Sequence, residues 1–442
     1  MNNQSLYICF NSIMLLMLMW LPEMVVAQQN ISLETCIQKG LENNLDFQIQ
    51  QLKIAYADKA QRSKGSRFLP QVAGGLTHNY SFGSTIDPAS NARVSSNIQS
   101  NNFTVDANVS IFNFSELWES KLLGDDRTLA LQNKAVLTRD YTLQLIQLYY
   151  DTYAAQEWKK VVSKQLEHSK EQLERIENEV NEGAKPVSDL YDIQVLYTQE
   201  KKIALQTAQE EANKKALLSH WINSSIDSST TLTFIPPENG QVFIGTGYSP
   251  NVKLEELKAQ KLTHEYKQLL AGYLPRVTLS YSYGTFYSST IQGIFDTSLQ
   301  FGSQLRNNKN QFLGLHVQVP IFSRGDRQRA QQLKTIEIQE QQQLVEKTRV
   351  DFENSYSLEK QKKRQYEMLA PTLREGLEVA EKSLQTTQAK FEFGRIDISA
   401  YRMAKNQVLV ASYDLLKNNL YYAMSNSLLK EMDTKSNETA SN

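Results

Sequence analysis

Between about residues 115 and 219 the chain carries a seven-residue apolar repeat that runs on for longer than a globular core requires. Leu122, Leu129, Val136, Leu143 and Tyr150, then Leu166, Leu173 and Val180, fall at the spacing of a helix packed lengthwise against its neighbours. The repeat stops at Glu182-Gly183-Ala184-Lys185-Pro186, and a second helix runs back. At 1.5 Å per residue, roughly 68 residues of helix reach about 100 Å, several times the span of a small domain. Any fold proposed for this chain has to accommodate that rod.

The remainder follows one plan used twice. Residues 28–249 read as a first repeat: a helix over 31–67 with Ser32 as its N-cap, strands over 71–83 and 102–112, the long helix over 115–182, a turn at 183–187, a return helix over 188–221 and a polar connector over 222–249. Residues 250–432 repeat it, with a helix over 251–272, strands over 276–287 and 311–322, a long helix over 327–393, a turn at 394–398 and a return helix over 399–430. Tyr273-Leu274-Pro275 echoes Phe68-Leu69-Pro70, and Gln318-Val319-Pro320-Ile321-Phe322-Ser323 echoes Asn108-Val109-Ser110-Ile111-Phe112-Asn113. The halves match at an offset of roughly 205 to 211 residues, which is one duplication and not a solenoid array. Residues 84–100 and 288–310 read as polar loops, and residues 433–442 as a polar tail.

The strands alternate an apolar row with a small or polar one. Val72, Gly74, Leu76, His78, Tyr80 and Phe82 oppose Ala73, Gly75, Thr77, Asn79 and Ser81; Phe103, Val105, Ala107, Val109 and Ile111 oppose Thr104, Asp106, Asn108 and Ser110. Such alternation suits a transmembrane barrel with lipid outside and water inside, and equally a sheet in water with one solvated face. The N-terminus shifts the balance. Met1 to Ala27 reads as a secretory signal, with an apolar run from Ile13 to Leu21 and small residues at Val25-Val26-Ala27, so a mature chain is expected to begin at Gln28. Its first segment holds no Lys or Arg, which leaves a retained anchor helix as the alternative. No later stretch supplies the ~20 apolar residues of a transmembrane helix.

If an exported chain of this kind enters a membrane, it must do so with strands. In lipid no sheet edge can stay unpaired, so four strands must close with strands from other copies. Two copies would give eight strands, too narrow for a water-filled lumen, whereas three give twelve and leave a channel. The fold class expected is an α+β membrane protein: a long antiparallel α-helical coiled-coil tunnel, internally duplicated, joined to a trimer-shared 12-stranded transmembrane β-barrel with four strands per chain. If the strands mark the membrane end, both glycine turns lie at the far tip, about 100 Å away.

Other classes find little support. A formal net charge of −1 with 40% apolar residues excludes both a disordered chain and a polybasic nucleic-acid binder. Cys36, the only cysteine after the predicted signal, excludes an intrachain disulfide and a cysteine-based metal cluster, and reads as a small apolar residue on a helix face. His78, His168, His220, His264 and His316 are scattered without metal-ligand spacing, and read as surface or lumen residues. No glycine-rich phosphate loop follows a strand, so the chain is expected to be no enzyme, with no cofactor and no metal. The Gln-rich run from Gln331 to Gln343 reads as a solvated helix face.

Ser32-Leu33-Glu34-Thr35-Cys36, Leu41-Glu42-Asn43-Asn44-Leu45 and Phe68-Leu69-Pro70-Gln71 resemble the opening helix, and its exit into the first strand, of the TolC-type outer-membrane efflux proteins. The duplicated order and the two glycine turns agree, so the resemblance covers nearly the whole mature chain. It implies a homotrimer in outer-membrane lipid, a periplasmic tunnel, and docking to a periplasmic adaptor and an inner-membrane transporter of an efflux or type I secretion system. It also implies a gate of polar and charged residues just after each turn. Ser188 and Asp189, after Gly183, match a Ser/Thr-Asp pair of the family. After Gly394 the chain departs from it: Ala400 and Met403 stand where aspartates are expected, and the charges sit at Arg395, Asp397 and Arg402. Asp189 and Asp192 with Lys185, Arg395 and Arg402 are candidates for an ion-pair latch at the tips; the competing reading is that acids near a helix start are ordinary and solvated. The competing class for the whole chain is an exported coiled-coil scaffold without a pore.

Overall fold

The computed structural model describes residues 30–62, 65–86, 91–95, 97–227, 229–234, 236, 247–290 and 301–433. The predicted signal at residues 1–27 and the tail beyond Asp433 lie outside the described residues. In chain order the elements are β1 (Asn30–Ile31), α1 (Leu33–Asn43), α2 (Leu45–Arg62), β2 (Gln71–Ser81), β3 (Ser84–Ile86), β4 (Arg93–Ser95), β5 (Ile98–Phe112), α3 (Phe114–Asn181) and α4 (Val187–Ile222). There follow β6 (Thr231–Leu232), α5 (Pro250–Ala271), β7 (Arg276–Thr290), α6 (Phe301–Asn307), β8 (Asn310–Gln318), α7 (Asp326–Glu392) and α8 (Ile398–Asp433). Among the described residues no helix is long and apolar enough to cross a membrane.

The chain divides into two compact units, and α3, α7 and α8 contribute a stretch to each. One unit takes the described residues of Met1–Asn44, Leu143–Gln241 and Lys362–Leu428. In it, 36 residues of α4 run back along the C-terminal part of α3 after the first turn. Tyr149, Tyr150, Leu145 and Ile146 of α3 are buried at helical spacing. The helix predicted over 31–67 is broken here. Asn44 adopts an extended backbone that ends α1, and the freed carbonyl of Asn43 accepts from the Asn223 side chain at 3.2 Å. Ser32 caps α1 by accepting the Thr35 N–H at 3.2 Å. Cys36 is buried, and burial pushes its thiol up to about 12.

The segment expected to be a plain connector contains β6, which pairs in parallel with β1. Two α3 side chains hold this short ladder: the Tyr149 hydroxyl meets the carbonyls of Ile31 and Thr233, and the Gln156 amide clamps both backbone groups of Leu232. A buried ladder of two residues leaves polar backbone groups that only side chains can satisfy, and composition does not reveal them.

The second unit takes the described residues of Leu45–Thr142, Val242–Gln361 and Leu429–Asn442. Its centrepiece is a four-stranded antiparallel sheet in the order β2-β5-β7-β8. The two hairpins β2–β5 and β7–β8, one from each repeat, join through a 15-residue β7 lying along β5. A register shift between Ser110 and Phe112 takes Ile111 out of the apolar row of β5. β8 stops at Gln318, short of the predicted residue 322, because Pro320 has no N–H to donate. The predicted loops also carry structure: β3 pairs with β4, and α6 places Gln304 against both backbone groups of Ser288 at 2.9 Å. His264 is buried and bonded to Asp125 at 2.6 Å, not a surface or lumen residue. Gln341 reaches Glu255 on α5, so the Gln-rich face is solvated only in part.

Candidate functional site

Two places in the chain are arranged for more than their own stability. The first is the sheet. Directly opposed residues of antiparallel strands share a face, so one rung sets Val72, Ala107, Tyr281 and Leu313 side by side, another Gly74, Val105, Tyr283 and Gln311, and a third Val109, Leu279 and Leu315. The opposite face carries Ala73, Asp106, Ser282 and Phe312, then Gln71, Asn108, Ser280 and Gly314. The Ser282 hydroxyl donates to Asp106 at 2.6 Å across that polar face. Phe312 and Phe286 are apolar exceptions on that face, and the Phe312 ring lies over Gly314, where a Cβ would come within 2.6 Å of the ring.

This sheet hides neither its apolar row nor its edges. Leu76 is 65% exposed and Leu313 69%, and Val72, Leu315 and Val317 are exposed as well. β2 and β8 each have a partner on one side only. A sheet in water turns such a row inward and blunts such edges.

The second place is where the two hairpins turn. Both use the same device: Gly183 at φ 76° and Gly394 at φ 67° take the left-handed conformation that ends α3 and α7. The Gly183 N–H bonds Val180 O and the Ala184 N–H bonds Glu179 O; Gly394 and Arg395 repeat both bonds to Phe391 and Lys390. The turns part company at the next helix. α4 starts after Pro186 with no side-chain cap, whereas Asp397 caps α8, its carboxylate accepting from the Ala400 N–H at 3.1 Å and the Ser399 hydroxyl at 2.8 Å. Those bonds hold the Asp397 carboxyl below its ordinary range.

Behind the turns lies a core drawn from both hairpins. Ile176 of α3, Ile193 and Leu196 of α4, Phe391 of α7 and Tyr401 of α8 are buried together, with the Phe391 and Tyr401 rings stacked at 5.1 Å. Burial pushes the Tyr401 phenol up to about 12. Arg175 ties this core across the hairpins, with Nε on Glu179 at 2.9 Å and Nη1 on Glu392 at 3.0 Å. Lys185 also reaches Glu179, at 3.0 Å, and sits 4.9 Å over the Phe391 ring. The Arg175 bond, then Lys185, hold the Glu179 carboxyl below its usual range against the opposing effect of burial.

Further along the same helices the Lys405 ammonium meets both oxygens of Glu200, at 2.9 and 3.1 Å. The Ser169 hydroxyl of α3 donates to Glu200 and accepts from Lys405. All three side chains are buried. Burial lowers the Lys405 pKa, opposed by the Glu200 charge. Removing one partner of such a pair costs about 3–5 kcal/mol, whereas an exposed pair is worth about 0–1.

Of the residues singled out in the sequence, Gly183, Gly394, Lys185 and Asp397 have the roles just described. Ser188 donates weakly to Asp189 at 3.5 Å; Asp189 is half-buried and Asp192 is exposed. Arg395 lies 5.9 Å over the Phe393 ring, and Arg402 is exposed beside Met403. Among the described residues Asp189, Asp192, Arg395 and Arg402 make no ion pair within the chain; Glu179 and Glu392 take the cations that are paired at the turns. Sequence reasoning missed Arg175, Glu179, Glu392, Ser169, Glu200 and Lys405. A signal existed for the last two. Glu200 follows Ile193 by seven residues and Lys405 follows Tyr401 by four, so both charges stand on stripes that otherwise pack.

No family model matches the chain, and no curated protein does. Solved structures do. CusC, whose structures record conformational changes accompanying folding and transmembrane channel formation, aligns at a TM-score of 0.76 and 14% identity over 91% of this chain and 92% of that one. The outer-membrane protein VceC of Vibrio cholerae aligns at 0.73 and 12% identity, covering 91% and 96%. The CmeC outer-membrane channel of Campylobacter jejuni aligns at 0.74 and 13% identity, covering 92% and 87%. At such identities the likeness is one of fold: this chain has the fold of the TolC-type outer-membrane channels.

Proposed function

We propose that the chain is the outer-membrane exit duct of a tripartite efflux or type I secretion system. Three copies would pool their sheets into one 12-stranded barrel in outer-membrane lipid, and their helices into a tunnel through the periplasm of a Gram-negative cell. The observation that carries this is the sheet. Its apolar face is exposed along all four strands and its two outer strands are open, and a closed barrel in lipid satisfies both at once. A periplasmic adaptor and an inner-membrane transporter would complete the system and supply its energy, as the resemblance to the TolC-type channels implies.

The turn residues fit a gate at the periplasmic mouth. Gly183, Lys185, Ser188, Asp189 and Asp192 from one hairpin would join Gly394, Arg395, Asp397 and Arg402 from the other, and Asp189, Asp192, Arg395 and Arg402, which make no ion pair among the described residues of the chain, would be free to meet another copy. Fractionation tests the reading. The protein should partition with the outer membrane, leave it only in detergent and cross-link as a trimer. Recovery as a monomer in the soluble periplasmic fraction would favour the exported scaffold.

A further inference from the structure

β8 begins at Asn310, opposite Gly284, so among the described residues the last part of β7 has β5 on one side and no strand on the other. α6 takes that side. The Gln304 amide bonds both backbone groups of Ser288 at 2.9 Å, and the Asn308 amide donates to the Phe286 carbonyl at 2.9 Å. The Thr285 hydroxyl donates to the Leu305 carbonyl at 2.7 Å. The Phe301 ring meets Phe103 edge-on at 6.3 Å and Tyr287 at 5.0 Å. Phe103, Thr285 and Tyr287 continue the row of Val105 and Tyr283, so α6 is fastened to the apolar face of the sheet and not to the polar one.

Cover is all that a sheet edge requires. α6 brings charge as well: from Phe301 to Asn310 the chain carries Arg306 and Lys309 and no acid. Both are exposed, and among the described residues neither makes an ion pair. Phe301, Gln304 and Asn308 take the side toward the sheet at helical spacing, which leaves Arg306 on the side turned away. The duct reading gives these cations a level in the membrane. Ser288 lies twelve residues beyond Arg276, the charge that opens β7, or roughly 40 Å along the strand. At a tilt of about 40° this is about 30 Å along the membrane normal, just past an apolar band of about 25 Å. Phe301 then meets the acyl boundary from outside the barrel, and the two cations stand among the headgroups of the outer leaflet.

We propose that α6 and Lys309 form a binding site for the phosphate of a phosphorylated glycolipid of the outer leaflet. The Arg306 guanidinium and the Lys309 ammonium hold the phosphate, and Phe301 lies against the acyl chains. The site is on the outer wall of the barrel and away from its lumen, and it rests on the duct reading above.

The test titrates detergent-solubilised trimers with bisphosphorylated lipid A and with the same lipid stripped of its phosphates. The native protein is expected to bind the phosphorylated form about tenfold or more tightly. Arg306→Gln with Lys309→Gln should lose that preference while still entering planar bilayers and conducting, and Arg306→Lys with Lys309→Arg should keep it. Equal binding of the two lipids by the native protein, or an undiminished preference in the double Gln variant, overturns the proposal and leaves the duct reading standing. Release of the lipid by millimolar inorganic phosphate identifies a site for free phosphate and overturns the lipid assignment. A native protein that neither enters a bilayer nor conducts overturns the duct reading and the proposal with it.

Discussion

The sheet and the paired turns solve the same problem in opposite directions. At the turns the apolar residues of two hairpins face each other, and the chain supplies its own core and its own ion pairs, one of them buried. In the sheet the apolar row is exposed and the two outer strands have one partner each among the described residues. One region is complete in a single copy and the other is complete only in other surroundings. On the duct reading, hydrophobic burial drives both, and what differs is whether water or lipid surrounds them.

Substitutions of matching size should expose that difference. The largest effect is expected at the turn core. Ile193, only 1% exposed, leaves a cavity when cut to Ala, and the loss of about 2–5 kcal/mol should appear as a lowered melting temperature in detergent. Next comes the sheet, where Val105→Lys on the apolar row should cost about 2–4 kcal/mol near the bilayer midplane, while Ser280→Lys on the opposite face should be tolerated. The yield of membrane-inserted protein measures both, and equal loss from the two would break the assignment of faces.

Smaller effects separate the two turns. Gly183→Val and Gly394→Val should each cost about 1–2 kcal/mol, because both glycines hold the same left-handed conformation. Asp397→Ala should do less, and only at the second turn. The Asp397 carboxyl is held below its ordinary range in the folded chain, so its stabilisation is present above that range and is lost as pH falls through the folded value. Melting curves of native and Asp397→Ala protein should stand apart at neutral pH and converge in acid.

Much of this was legible in the sequence, for identifiable reasons. The heptads, the two Gly turns and the alternating strands are periodic signals, and periodicity survives without tertiary context. The interruption at Asn44 was not legible, since an Asn in an apolar-periodic stretch is tolerated inside a helix until the Asn223 side chain offers the carbonyl of the preceding residue, Asn43, another partner. The β1–β6 ladder is too short for a pattern and exists because Tyr149 and Gln156, more than 70 residues away from β6, satisfy it. At the turns the sequence marked where charges cluster, and the partners came from residues outside the cluster. Glu179 and Arg175 precede the first turn, and Glu392 precedes the second, so searching only the residues after each glycine passes over them.

The central claim is that the exposed sheet is a piece of a water-filled barrel, and conductance addresses it most directly. Detergent-extracted protein reconstituted in a planar bilayer should insert as trimers and pass ions, with Val105→Lys failing to insert and Ser280→Lys conducting. A protein that stays soluble without detergent and leaves the bilayer electrically silent would contradict the account.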